Sequence, residues 1–274
     1  MSSGRQSVSS CDGRAAVILA GLDAAVRAEL RLEIAAEVDS TNEVVKRRCT
    51  SGADIHGLAL LADRQSAGRG RLGKPWFSPP DSNLYLSLGW RFDDDTCDLA
   101  GLSLAVGCAI AEQLQDSLGV DIRLKWPNDL YIAGMKVGGI LIDIVPSSAE
   151  NWQLVVGVGL NVAMPRTDAI DQPWTDLAAH LKVPPSRDDV ASDVLLALTS
   201  LLSDWPTVGF LNWREVWQRR DFLAGHEVAV QHNGEALVGR AMGVDLTGAL
   251  SVDTDGGMVS VHAGEASMLR RAPS

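Results

Sequence analysis

Cysteine is scarce and unpatterned: Cys11, Cys49, Cys97 and Cys108 form no C-x-x-C pair and join no histidine at zinc spacing. Their scatter argues for free, buried thiols in a reducing compartment. Long hydrophobic runs are absent too. The apolar stretch near the start, Ala15 to Leu22, is far short of a membrane span, and Asp12 stands where a secretory leader is cationic. Together these absences predict a cytoplasmic protein. Positive charge is also in deficit, with 24 Lys and Arg against 35 Asp and Glu. The resulting net charge of −11 repels a polyanion at long range and argues against non-specific nucleic-acid binding. No internal repeat is evident, and the residues before the first strand are too few for a helix-turn-helix domain.

The composition is that of a folded protein, 46% apolar and 22% charged, and 274 residues suit one catalytic-sized body with a small appendage. Met1 to Gly13, rich in Ser and Gly, predicts a flexible tail. Ala15 to Ile34 carries apolar residues mostly four apart and predicts one or two short helices. Short apolar runs then predict strands at Leu58 to Ala62, Leu84 to Trp90, Ile122 to Lys125, Lys136 to Val145 and Trp152 to Val158, with a helix at Leu99 to Leu118 and a turn at Ser147 to Asn151. Helices are predicted at Asp176 to Lys182, Asp188 to Asp204 and Phe210 to Arg219. Beyond Phe222, strands at Glu227 to Gln231, Ala236 to Val244, Ala249 to Val252 and Met258 to His262 alternate with turns at Asn233-Gly234, Thr247-Gly248 and Asp255-Gly256-Gly257. They describe a small β-barrel that must lean on its neighbour. Strands with inserted helices, without regular βαβ alternation, predict an α+β fold.

The most unusual segment is Gln65-Ser66-Ala67-Gly68-Arg69-Gly70-Arg71-Leu72-Gly73-Lys74. Gly68, Gly70 and Gly73 literally satisfy G-x-G-x-x-G, but the dinucleotide motif needs a helix immediately afterwards, and Lys74-Pro75-Trp76-Phe77-Ser78-Pro79-Pro80 contains three prolines. What remains is a glycine loop carrying Arg64, Arg69, Arg71 and Lys74, suited to wrap a phosphate or acyl phosphate; an exposed hairpin with solvated arginines is the plainer alternative. Trp76 offers an aromatic face to a base, or to the core.

Four other clusters carry polar chemistry. Lys125-Trp126-Pro127-Asn128-Asp129 fixes charges around a proline, or is a strand-end turn. Lys136 precedes Gly138-Gly139 in an apolar strand, where it can follow a carboxylate through acyl transfer or simply be a hairpin lysine. Gly157-Val158-Gly159-Leu160-Asn161 marks a second close-approach strand or a bend. Asp39-Ser40-Thr41-Asn42-Glu43 supplies hydroxyls for a ligand or an ordinary helix N-cap.

In this order and at these intervals the segments, with Trp76-Phe77-Ser78 and Asn83-Leu84-Tyr85-Leu86-Ser87, resemble the biotin protein ligase family over about residues 35 to 162. The resemblance implies a mixed central sheet with flanking helices, of the biotin/lipoate ligase and class II synthetase-like type, and a C-terminal SH3-like β-barrel. Divided on that basis, 1–34 is a tail with short helices, 35–222 the catalytic domain and 223–274 the SH3-like domain. It implies that biotin and MgATP form biotinoyl-5'-AMP and that a lysine of a biotin carboxyl carrier protein, the acetyl-CoA carboxylase subunit, then takes the biotinoyl group.

Carried over residue by residue, Lys136, Arg69 and Asp129 are the catalytic candidates, with Asp129 orienting or deprotonating the acceptor amine. The biotin side comprises Ser40, Thr41, Asn42, Gln65, Arg69, Gly70, Arg71, Lys136, Gly139, Gly157 and Gly159. The ATP side comprises Arg69, Arg71, Trp76, Lys125, Asn128, Ile140 and Asn161. Leu72 and Lys74 depart from positions where relatives can carry further arginines. The resemblance implies a monofunctional enzyme without specific DNA or membrane partners; metal ligands and a homodimer stay open. Two rivals remain: a lipoate or octanoate transferase of the same fold, which lacks the Gly-Arg-Gly-Arg and Lys-Trp-Pro-Asn-Asp segments, and a non-enzymatic biotin-responsive regulator.

Overall fold

The computed structural model describes residues 5–94, 96–146, 151–232 and 235–269. Its centre is a seven-stranded mixed sheet of β1 (Arg31–Val38), β2 (Leu58–Gln65), β3 (Leu84–Phe92), β4 (Arg123–Lys125), β5 (Asp129–Ile132), β6 (Met135–Val145) and β7 (Trp152–Leu160), in the order β1-β2-β3-β7-β6-β5-β4. Only β1 and β2 pair in parallel; the other neighbours are antiparallel. Alternation along the strands decides which residues face which layer. On β2, Ala59 and Leu61 join the large core, whereas Leu58 and Leu60 join a smaller one with Val45, Ile55, Val145 and Val155. The large core is covered by α4 (Leu102–Leu118) and α5 (Arg187–Val208), and the smaller by α3 (Thr41–Thr50). Because α3 has only ten residues, it roofs only part of its face, and the rest stays open.

Several elements differ from the sequence expectation. Residues 5–13, expected to be a flexible tail, belong to α1 (Arg5–Ala20); residues 1–4 lie outside the described residues. Once a helix exists at Ala15–Ala20, extending it costs far less than starting one. Arg14 pins this helix, bonding Asp63 at 2.7 Å and Asp188 at 2.7 Å. After α2 (Ala24–Glu29), Arg31 to Ile34 is not helical but begins β1, because each residue pairs with β2. The helix expected over Asp176 to Lys182 is a single 3-10 turn, Ala178–His180. Its leading amides are used elsewhere: Leu177 N–H donates to Asn161 O and Ala178 N–H to Val162 O. The expected turn at 147–151 lies outside the described residues apart from Asn151, and so does Asn233-Gly234.

After a 3-10 turn at Phe210–Trp213 and α6 (Arg214–Arg220), the chain forms a five-stranded antiparallel sheet. Its strands are β8 (Glu227–His232), β9 (Glu235–Val244), β10 (Leu250–Thr254), β11 (Gly257–Val261) and β12 (Ala266–Met268), ordered β11-β10-β9-β8-β12. The pairings do not join β11 to β12 into a closed barrel. This sheet shares the large core through Val228, Val230, Ala241, Leu250 and Ala266, and Trp126 Nε1 donates to Gly248 O at 3.1 Å across the junction. No described helix is long and apolar enough to cross a membrane.

Candidate active site

Three strands leave a gap in the open face. Tyr85, Gly159 and Gly139 stand opposite one another on β3, β7 and β6, and Ser87, Gly157 and Leu141 form another rung. A cleft of about 270 Å³ lies above them, walled by the start of α3, the basic loop, residues 125–129 and the edge of β12 at Glu265–Ser267. Two of these glycines, Gly157 and Gly159, are required by what packs there. A Cβ on Gly159 would lie 2.7 Å from the Trp76 indole, and one on Gly157 would lie 2.1 Å from Asn42 Oδ1.

A polar network forms one end. Gln65 Oε1 accepts from the Thr41 N–H at 2.9 Å and from its hydroxyl at 3.2 Å, while Gln65 Nε2 donates to Ser78 Oγ at 3.1 Å. The Ser87 hydroxyl reaches both Thr41 Oγ1, at 2.7 Å, and Asn42 Oδ1. Asn42 Nδ2 donates to Leu141 O at 3.2 Å and Asp143 Oδ2 at 3.1 Å, which fixes the amide's orientation. Ser40 is at the N-cap position of α3 but makes no side-chain cap bond, so the ordinary capping alternative does not describe it. Asp39 is committed outside the cleft: its bonds to the Arg47 guanidinium bring its pKa down to about 2.

The basic loop is a hairpin. Trp76 N–H donates to Gly68 O at 2.9 Å, Gly70 N–H to Lys74 O at 2.8 Å, and Arg69 pairs with Pro75. Its tip is one 3-10 turn, Arg71–Gly73, where exposed Leu72 takes a left-handed φ of 55°. No helix follows the glycines, in keeping with the rejected dinucleotide motif. Arg69 and Arg71 line the cleft and have no carboxylate partner within salt-bridge distance among the described residues. Arg64 does not join them: it pairs with Glu37 at 3.1 Å and lines a second cleft.

Opposite the hairpin, Lys136 Nζ lies 2.8 Å from Asp129 Oδ1 and 5.4 Å from the centroid of the Trp76 ring. Its backbone is clamped, donating to Pro173 O at 3.1 Å and accepting from Thr175 N–H at 2.9 Å. Asn128 is tied twice to Ile140, through Nδ2 to the carbonyl at 2.6 Å and through its own carbonyl to the amide at 2.9 Å. Lys125 lies over the Tyr131 ring, and burial pushes its pKa below the usual lysine value. A lysine depressed in this way costs stability while both folded and unfolded forms are cationic; the penalty fades as pH rises through the folded pKa. Lys125→Met should therefore raise the melting temperature by about 2–4 °C, for about 1 kcal/mol recovered. Thermal melts check this, and a lower melting temperature would refute it.

All the expected site residues line this first cleft except Asn161. Asn161 lines the second, of about 1070 Å³, on the far side of Trp76 with Ala169–Gln172 and Trp174. Its amide is already occupied, donating to Thr175 O at 2.9 Å and accepting from Asn83 at 3.3 Å. Sequence reasoning did not single out Ser87, Ser78, Asp143, Gln172, Trp174 or Glu265 as site residues. Ser87 carried a signal, a polar residue on the strand Leu84-Tyr85-Leu86-Ser87-Leu88; Glu265 carried none, since only tertiary folding brings β12 to the cleft.

The chain matches the biotin/lipoate A/B protein ligase family over residues 34–161 and the biotin protein ligase C terminal domain over residues 224–269. It is 35% identical over 234 residues to the bifunctional ligase/repressor BirA of Salmonella typhimurium, covering 84% of this chain and 72% of that protein. It is 34% identical over 245 residues to the biotin--[acetyl-CoA-carboxylase] ligase of Mycobacterium tuberculosis, covering 88% and 90%. The biotin protein ligase from Aquifex aeolicus, solved in complex with biotin and ATP, superposes with a TM-score of 0.76 at 29% identity, covering 88% of this chain and 99% of that one.

Proposed function

This chain belongs to the biotin protein ligase family, and we propose on that premise that its cleft joins biotin to AMP and passes the biotinoyl group to a lysine of a biotin carboxyl carrier protein. In the first step a biotin carboxylate oxygen bonds to the α-phosphorus of ATP and the bond to the β-phosphate oxygen breaks, giving biotinoyl-5'-AMP and pyrophosphate. In the second, the carrier amine attacks the carbonyl carbon, AMP leaves, and the amine loses a proton.

The observation that carries this reading is the pair Arg69 and Arg71, without a carboxylate partner among the described residues, facing Lys136 across one cleft. Two anions can react only if their repulsion is cancelled, and preorganised cations do this most effectively away from bulk water. Lys136 follows the carboxyl oxygen through both steps. Asp129, 2.8 Å from Lys136, then orients or deprotonates the acceptor amine. Ser40, Thr41 and Gln65 meet biotin's polar ring, with Asn42 supporting the same turn. Trp76, Lys125, Asn128 and Ile140 meet the nucleotide. Asn161 shapes the second cleft. Mg2+ arrives on the phosphates of ATP as part of that substrate. Residues 35–222 form the catalytic unit and 223–274 its C-terminal partner. We place the protein in the cytoplasm, with no role for operator DNA.

Full-length protein should release pyrophosphate from ATP only when biotin is added, and should move labelled biotin onto a carrier domain. Comparable release with octanoate or lipoate would shift the assignment to an acyl transferase of the same fold.

A further inference from the structure

We propose that Lys74 and Glu265 form a latch tying the basic hairpin to the C-terminal sheet, setting how long the cleft holds its adenylate; this rests on the proposed reaction above. Of the three cations near the hairpin tip, Arg69 and Arg71 have no carboxylate partner among the described residues, whereas Lys74 Nζ is bonded to Glu265 Oε2. These residues are 191 positions apart, so the contact exists only because the two sheets meet at the cleft.

Both partners are firmly mounted. Lys74 is held within the hairpin by its N–H to Arg71 O at 3.1 Å and its carbonyl to Gly70 N–H at 2.8 Å. Glu265 follows Gly264, whose φ of +147° and close approach to Gln231 O exclude a side chain, and precedes Ala266, buried and paired with Val230. The ion pair itself is half in water, with side-chain exposures of 62% and 37%. An exposed pair of this kind is weak and screened by salt. That suits a fastening that must open for biotin, ATP and carrier lysine in every turnover, while the two arginines face the ligand.

Glu265→Lys and Lys74→Glu, each placing like charges together, should raise escape of the adenylate about three- to tenfold, read as labelling of bystander albumin relative to carrier. Biotin affinity measured without ATP should stay within twofold. The double variant, with the charges exchanged, should return escape to within about twofold of wild type, and wild-type escape should rise between 0.05 and 0.5 M salt, roughly as Debye screening dictates. Trypsin cleavage after Arg71 gives a second readout independent of the reaction: faster in each single variant, restored in the exchange. Glu265→Gln and Lys74→Met serve if a reversal fails to fold. Unchanged escape and proteolysis in the single variants, or an exchange as leaky as either, would overturn the latch. Absence of biotin-dependent pyrophosphate release in wild type would instead overturn the proposed reaction, with proteolysis still deciding the latch.

Discussion

Lys136→Ala should lose at least about a hundredfold in biotin-dependent pyrophosphate release, corresponding to about 3 kcal/mol for one preorganised charged donor. Lys136 is mounted rigidly, its strand paired with β5 and β7 and its own backbone held by Pro173 and Thr175. No other lysine side chain in the cleft has both that mounting and the pairing with Asp129. The change also removes the contact with Trp76, so packing and charge need separating. Lys136→Met keeps most of the stem on the indole and removes only the charge. Equal losses in the two variants assign the effect to the cation, whereas near-normal release in the methionine variant would leave Lys136 as an ordinary strand lysine. Circular dichroism should show both variants folded, because the site side of β6 contributes little to the large core.

The second large effect is expected at a residue that touches no reacting atom. Gly157→Ala should weaken biotin binding by on the order of a hundredfold, roughly 2–3 kcal/mol of overpacking and broken hydrogen bonds. Its new methyl group would lie 2.1 Å from Asn42 Oδ1. Gly157 cannot retreat, since it pairs with Ser87 on one side and Leu141 on the other. Asn42 must therefore swing out, releasing Leu141 O, Asp143 and Ser87 together. Titration of biotin in the absence of ATP measures the loss. The same alanine placed in an Asn42→Ala background should cost almost nothing further, because the clash has gone. Additive losses would mean that Gly157 faces the ligand directly and not Asn42.

How much of this was legible depended on whether a segment's structure is decided locally. β2, β3 and β7 could be read from short apolar runs bounded by turns, since burial on both faces leaves a plain hydrophobic signature, and β6 from the run Val137 to Val145. β1 could not. Leu30 and Ile34 are four apart and mimic a helix face, and only the parallel register with β2 makes Arg31–Val38 a strand. The segment after Asp176 failed for a related reason: its helical composition is overruled by backbone bonds to Asn161 and Val162. At the site, glycine and charge gave away the cleft walls, because close approach and fixed cations need particular residue types. The commitment of Asn161 to Thr175 and Asn83, and the arrival of Glu265 from the distant β12, follow from how the sheets meet and leave no mark on the local pattern.

The pleat of β7 has a consequence for how damage to this protein would be inherited. Leu154, Val156, Val158 and Leu160 lie in the large core, while Gly157 and Gly159 face the cleft and Val155 the smaller core under α3. Neighbouring codons thus belong to two interleaved maps. A change at 156 or 158 should lower the amount of folded protein and worsen with temperature; a change at 157 should act first through the cleft and raise the need for biotin. A growth medium rich in the vitamin would rescue alleles at 157 and not those at 156 or 158.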